Sequence, residues 1–271
     1  MTNSVTCRIA LPDGTELSCR IQGSGALPIV FVHGYAMSLE CWERVLERLP
    51  ADWTGYAYDL RGFGASGKAG PHSFARYEAD LLVLLDAFGL DRPVLAGHSL
   101  GANLLQEFAV THPARFRALV LSDAAARNLP PPDAVAARVQ QRIAAYGSAE
   151  VNRAILRRRM ADYFDAGNVT DADLDRFSEL GARADTAALR EMLLASYCHV
   201  PIPDAQLRRI HAPVLLIYGA NDRVTPPTQA GALLRALPQT EMSIIPHCGH
   251  TPMWENPDAW VGRVRHFLSQ H

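Results

Sequence analysis

Residues 93–111 read Pro93-Val94-Leu95-Ala96-Gly97-His98-Ser99-Leu100-Gly101-Ala102-Asn103-Leu104-Leu105-Gln106-Glu107-Phe108-Ala109-Val110-Thr111. Val94–Ala96 is a short apolar run of the kind that forms a buried strand. Leu100–Thr111 has helical character. Gly97, Ser99 and Gly101 sit on the join. A strand that turns at once into a helix forces strained backbone angles, and glycines on both sides of Ser99 remove the side chains that would collide. The Ser99 hydroxyl then stands clear of the sheet, at the positive end of a helix. A plain turn with Ser99 as a helix cap is the alternative.

The same alternation runs outward in both directions. Val5–Ala10 and Leu17–Gln22 flank Pro12-Asp13-Gly14 and read as a hairpin. Ile29–Val32 is a strand pattern followed by helical Ser38–Leu49. Tyr56–Tyr58 ends a strand that precedes helical Phe74–Phe88, and Ala118–Leu121 is a further strand. Strands alternating this regularly with helices predict a mostly parallel central sheet flanked by helices, an α/β fold. The rhythm breaks after Asp123. Pro130-Pro131-Pro132 stops any regular element, and Asp133–Arg209 is helical in character with no strand signal. Strand patterns return at Val214–Tyr218 and Met242–Ile245. Asn256-Pro257 starts a last helix that runs to about Leu268. The expected organisation is a core of residues 1–123 and 210–271 carrying a helical insertion, residues 124–209.

Bulk composition excludes several classes. Of the 271 residues 48% are apolar and 20% charged, an ordinary globular balance. Lys and Arg number 26 against 28 Asp and Glu, a net charge of −2, which gives no pull toward nucleic acid. No apolar run reaches the roughly 18 residues needed to span a bilayer. The start, residues 1–17, has neither a basic nor an apolar signal region. Five scattered cysteines without a CxxC pair read as free thiols in a reducing compartment, so the expected location is cytoplasmic.

A serine nucleophile needs a base, and the base needs an acid to orient it. His250 lies in His247-Cys248-Gly249-His250, directly after the last strand pattern, where open α/β sheets place their sites. His247 is its nearest rival but follows Pro246 at the strand end. A zinc site on His247, Cys248 and His250 lacks a fourth ligand and a paired knuckle. Asp222 follows the strand Val214–Tyr218 in Gly219-Ala220-Asn221-Asp222-Arg223. Asp123, also at a strand end, is its competitor and is read as structural. The expected catalytic set is therefore Ser99, His250 and Asp222. An oxyanion hole is assigned to the backbone N–H groups of Leu100, which follows the nucleophile, and of Tyr35, in the loop His33-Gly34-Tyr35-Ala36-Met37. His33 reads as a structural histidine. Gly62-Phe63-Gly64-Ala65-Ser66-Gly67 matches a dinucleotide-binding pattern, but Lys68-Ala69-Gly70-Pro71 prevents the helix that such a site requires.

Four segments carry a resemblance: His33-Gly34; Asp59-Leu60-Arg61-Gly62-Phe63-Gly64-Ala65-Ser66; Gly97-His98-Ser99-Leu100-Gly101; and Gly219-Ala220-Asn221-Asp222-Arg223-Val224 with Gly249-His250. In order and spacing the chain resembles the α/β-hydrolase fold superfamily, in its capped branch of esterases, lactonases, perhydrolases and C–C bond hydrolases. The resemblance implies a Ser99–His250–Asp222 triad, no cofactor and no metal, and a structural role for the Asp59–Ser66 loop. It argues against dehalogenase and epoxide hydrolase activity, which use aspartate where this chain has Ser99.

The insertion is then a cap that excludes water and shapes the substrate pocket. Met160, Tyr163, Phe164, Met192 and Leu193 read as cap core, while Tyr197 and His199, near the return to the core, are pocket candidates. Met37, Trp42, His98 and Trp254 are the candidates from the core. Arg153, Arg157, Arg158 and Arg159 read as a solvated face, with a grip on a substrate carboxylate as the alternative. The expected activity is hydrolysis of a small to medium, largely apolar carboxylic ester or lactone (class 3.1.1), by a monomer or small homo-oligomer. C–C hydrolysis, perhydrolysis, acyl transfer and a lyase reaction on the same residues stay open, as does a non-catalytic ligand-binding or receptor protein.

Overall fold

The computed structural model describes residues 4–129 and 133–271, with residues 133–136 described by backbone alone. The triproline Pro130-Pro131-Pro132 lies outside the described residues. Eight strands form one sheet: β1 (Ser4–Ala10), β2 (Glu16–Gly23), β3 (Leu27–Val32), β4 (Trp53–Tyr58), β5 (Val94–His98), β6 (Ala118–Ser122), β7 (Val214–Gly219) and β8 (Thr240–Ile245). Their order is β1-β2-β4-β3-β5-β6-β7-β8. β1 and β2 form the antiparallel hairpin, β2 joins β4 antiparallel, and every pairing from β4 onward is parallel. All residues of β5, β6 and β7 are buried, as continuous apolar runs in a sheet covered on both faces must be.

The helices are α1 (Glu43–Leu46), α2 (Phe74–Ala87), α3 (Leu100–Thr111), α4 (Asp133–Ala145), α5 (Ala149–Met160), α6 (Asp171–Ala182), α7 (Thr186–Tyr197), α8 (Asp204–Leu207), α9 (Ala230–Ala236), α10 (Pro252–Glu255) and α11 (Pro257–Gln270). Asn256 caps α11 by accepting the Ala259 N–H, with Pro257 opening the helix. The helix expected over residues 38–49 is shorter. Ser38 caps a 3₁₀ turn, Leu39–Trp42, and α1 ends at Leu46. Two short helices, α9 and α10, went unread because each is too brief to carry a period. α4 to α8 all fall between β6 and β7, and none of the helices is long and apolar enough to cross a membrane among the described residues.

The loop after β4 is braced by charge. Asp59 accepts the N–H groups of Leu39 at 2.7 Å and Ala65 at 2.8 Å. Gly64 has φ +51°, and a Cβ there would lie 2.2 Å from the Asp59 carboxylate. No helix follows Gly67, so the dinucleotide-like glycines serve the loop's close turns. Arg61, whose side chain is wholly buried, meets Asp80 with two hydrogen bonds of 2.8 Å and reaches Asp13 at 2.7 Å. Removing one partner of such a pair leaves a charge buried without compensation. Arg61→Met is expected to cost about 3–5 kcal/mol, read as a lower urea midpoint. A loss below about 1 kcal/mol would mean that water reaches Asp80.

Candidate active site

Ser99 has φ +50° and ψ −111°, a region that side chains other than glycine rarely enter. Its neighbours explain how the turn is tolerated. A Cβ at Gly97 would lie 2.6 Å from the Gly101 carbonyl carbon, and one at Gly101 would lie 2.3 Å from the Val32 oxygen. The Ser99 N–H donates to the Ser122 carbonyl at 2.9 Å, tying the turn to β6. Ser99 is half-buried and lines a cavity of about 430 Å³, the size range of small-molecule sites.

His250 follows β8 and is fully buried. Its Nδ1 lies 2.8 Å from Asp222 Oδ2. The N–H groups of Val224 and Thr225 donate to Asp222 Oδ1 at 2.7 and 3.0 Å. The Thr225 hydroxyl lies 2.9 Å from both Asp222 Oδ2 and the Asp123 carbonyl. Burial alone pushes the Asp222 carboxyl up, but the adjacent imidazole and these donors overcome it and hold the acid well below the usual range. His250 Nε2 is buried without a hydrogen-bond partner, which leaves it able to take up a proton. No hydrogen bond joins it to Ser99, and such bonds often tighten only with substrate bound.

Asp123 stands beside this pair with φ +51°. It accepts the Gly219 N–H at 3.0 Å and the Ser122 hydroxyl at 2.8 Å. Burial, then the charge of Asp222, push its carboxyl far up, so Asp222 is the ionised member of the pair. Asp123, Asp222 and His250 each offer one atom within 4.8 Å of the others, the spacing of a cation site. All four carboxylate oxygens already accept hydrogen bonds, so the cluster closes as a proton-bearing network. His247, the rival base, is exposed.

Among the described residues the Leu100 and Tyr35 N–H groups donate to no protein acceptor, and both residues line the cavity with Ser99. Tyr197 and His199 line it as expected. Four other pocket candidates do not. Met37 is fully buried in the core. Trp42 packs against Phe31 and Trp260, at 5.1 and 5.3 Å between rings. His98 points its Nε2–H at the His250 carbonyl, 2.7 Å away. Trp254 donates to Asp173 at 2.8 Å beneath the Arg44 guanidinium. Closeness in sequence to the motifs says nothing of which side of the sheet a side chain takes.

Sequence reasoning missed several residues. Tyr163, read as core, lines the cavity and sets its ring edge-on to His250 at 4.9 Å. Thr225 carried a legible signal, since an aspartate followed at two and three residues by its own N–H donors is a common turn. Asn103, Gln229 and Arg142 also line the cavity and carried none. Glu255, equally silent, accepts the N–H of Gly249 at 2.9 Å and of Asp165 at 2.7 Å, so it staples the His250 loop to the helical segment. In the basic cluster Arg153, Arg157 and Arg158 are exposed, with Arg157 paired to Asp171 and Asp175 and Arg153 to Glu179, while Arg159 is half-buried.

The chain belongs to the α/β hydrolase fold family, whose model matches residues 28–257. It is similar to the 2-hydroxy-6-oxo-2,4-heptadienoate hydrolase of Pseudomonas putida, 28% identical with 98% of each chain covered. It is 27% identical to the pimeloyl-[acyl-carrier protein] methyl ester esterase of Neisseria meningitidis, over 89% of this chain and 93% of that one. A hydrolase from Pseudomonas aeruginosa superposes with a TM-score of 0.84 at 28% identity, covering 97% of this chain and 98% of its own.

The buried histidines make stability depend on pH. Burial, then the neighbouring His250, push His98 down to about 3, and burial pushes His33 down to about 4. His33 accepts the Leu60 N–H at 2.9 Å, which suits a neutral ring. Below about pH 6.5 the unfolded chain therefore binds protons at these two sites that the native state does not, and stability falls with pH. Asp59, pushed up to about 6 by burial, opposes this between about pH 4 and 6. Comparing the wild type with His98→Gln isolates one histidine. Between pH 7 and 5 the wild type should lose up to about 2 kcal/mol more than the variant in urea titrations. Parallel pH curves would show that His98 ionises freely in the native state.

Proposed function

We propose that the protein is a serine hydrolase that cleaves a small to medium carboxylic ester or lactone. The observation that carries this reading is the strained Ser99 turn opening into a cavity beside the buried His250–Asp222 pair. Ser99 Oγ attacks the substrate carbonyl carbon while His250 Nε2 takes its proton. Asp222 holds the imidazolium so formed, and the Leu100 and Tyr35 N–H groups hold the oxyanion. The tetrahedral intermediate collapses to an acyl-enzyme as His250 returns the proton to the leaving alkoxide. Water then gives its proton to His250, attacks the acyl carbon, and Ser99 leaves with that proton as the acid is released. Residues 124–209 act as the cap over this reaction, keeping water out until the leaving group has gone. No metal or cofactor enters the sequence of steps.

The esterase relative supports the ester reading. The heptadienoate hydrolase relative, whose named substrate carries a ketone, favours a second reading, hydrolysis of the carbon–carbon bond beside a ketone by the same residues. Fold alone does not separate them. Hydrolysis of 4-nitrophenyl esters of graded acyl length, beside Ser99→Ala, is the test. The wild type should turn over and the variant lose about 10⁴-fold or more in kcat. Equal rates in the two proteins would end the nucleophile assignment. Turnover of a 1,3-diketone with no turnover of any ester would select the carbon–carbon reading.

A further inference from the structure

The two fully buried arginines of the described residues come with their own carboxylates. Arg61 has Asp80 and Asp13, and Arg127 has Glu107. Arg142, on α4, is half-buried and lines the cavity that holds Ser99. Its Nη2 is buried without a hydrogen-bond partner, and no acidic side chain of the described residues pairs with it. Among the described residues the cavity wall contains no aspartate or glutamate. His199, the other basic residue there, is held below its ordinary range by burial, so among the described lining residues Arg142 is the one fixed charge at neutral pH.

The guanidinium is also held in place. Its Nε donates to the Tyr146 hydroxyl at 3.0 Å. The Tyr146 and Tyr35 hydroxyls share a hydrogen bond of 2.9 Å, and Tyr35 donates to the Leu189 carbonyl at 2.8 Å. The proton between the two phenols therefore comes from Tyr146, and every group in the chain is satisfied except the open end of the guanidinium. The guanidinium carbon, Cζ, lies 5.2 Å from the Tyr35 ring centre, within the reach of a cation–π contact. A cation kept rigid, part-desolvated and short of an acceptor is a half-built ion pair.

We propose that Arg142 binds a carboxylate of the substrate, so that the natural substrate is an anionic ester or lactone, for example the monoester of a dicarboxylic acid. The fork of a guanidinium matches a planar carboxylate. A monoanion neutralises the charge of the guanidinium, whereas a phosphate dianion would bring one negative charge more than Arg142 offsets. Arg142 is a specificity residue in this scheme and takes no part in proton transfer. The inference rests on the ester reading for which bond is cleaved, and on Arg142 alone for the charge preference.

The test compares 4-nitrophenyl monoesters of succinic, glutaric and adipic acid with the same esters ending in a carboxamide. The acetyl ester of 4-hydroxybenzoate beside that of 4-hydroxybenzamide covers a carboxylate on the alcohol side. The readout is the ratio of kcat/KM, charged over neutral. The wild type should favour the carboxylate by about 10- to 100-fold in at least one series. Arg142→Met should bring that ratio near one, and Arg142→Lys should keep part of it. A ratio near one in the wild type in both series, or one that survives Arg142→Met, overturns the proposal. Urea unfolding guards against a purely structural role, because replacing a half-buried guanidinium that has no carboxylate by methionine should not lower the midpoint. A lowered midpoint with an unchanged ratio also overturns it. If no ester is hydrolysed, the ester reading fails separately. Calorimetric binding of monomethyl glutarate to Ser99→Ala, with and without Arg142→Met, then decides the anion site. Binding that depends on Arg142 sustains it, and equal binding or none overturns it.

Discussion

A serine at φ +50° between β5 and α3 is the constraint on which the rest of the molecule hangs. Such a backbone costs on the order of 1–3 kcal/mol, and it persists because the surroundings over-determine it. β5 lies between β3 and β6 in the sheet, so its carboxyl end has no freedom to shift. α3 must pass so near β3 that only a glycine fits at position 101, 2.3 Å from what would be a clash with Val32. The strain lifts Ser99 out of the sheet, and the parallel strands on either side bring their own carboxyl ends to the same place. Asp123 follows β6, Asp222 follows β7 and His250 follows β8. The site is thus a consequence of strand order.

Buried charge gives the second organising theme. Inside a protein an ionised group needs a partner, and the fully buried charges of this chain follow that rule. Asp222 has His250 and three further donors within 3.0 Å. At Asp123 burial and the charge of Asp222 both oppose ionisation and push the carboxyl upward. Arg61 and Arg127 carry their carboxylates with them. Against this background the open guanidinium of Arg142 is informative because it sits in the wall of the cavity that Ser99 enters.

The helical segment between β6 and β7 is bound to the core at the point where chemistry is expected. Glu255 joins the backbone before His250 to that of Asp165, and the Tyr163 ring packs edge-on to His250. A Cβ at Gly249 would meet the backbone of Tyr163 and Phe164 at 2.6 Å, so the segment closes against that loop without a gap. The relatives that share this fold act on different substrates by their names. Variation of that kind fits a core that supplies reacting groups and a segment that supplies the walls.

Short-range rules made much of this legible in the sequence alone. The alternation of apolar runs and helical stretches announced a parallel sheet, because period and burial are local properties of the chain. Ser99, Asp222 and His250 stood out because each ends a strand pattern beside a glycine or a turn residue. The walls of the cavity were a different matter. Met37, Trp42 and Trp254 looked like lining residues and proved to be core, since an apolar side chain reads the same whether it faces a cavity or another ring. Arg142 was invisible among the arginines of its own segment. Arg153 and Arg157 find acids on the surface of α6 and its start, while Arg142 turns inward onto Tyr146 and Tyr35. Which way each points depends on how α4 and α7 pack over the sheet, and that packing joins residues more than a hundred positions apart, as Tyr35 and Leu189 are joined. Strand and turn are local and so are written in the sequence. The shape and charge of the space around them arise only when distant segments meet.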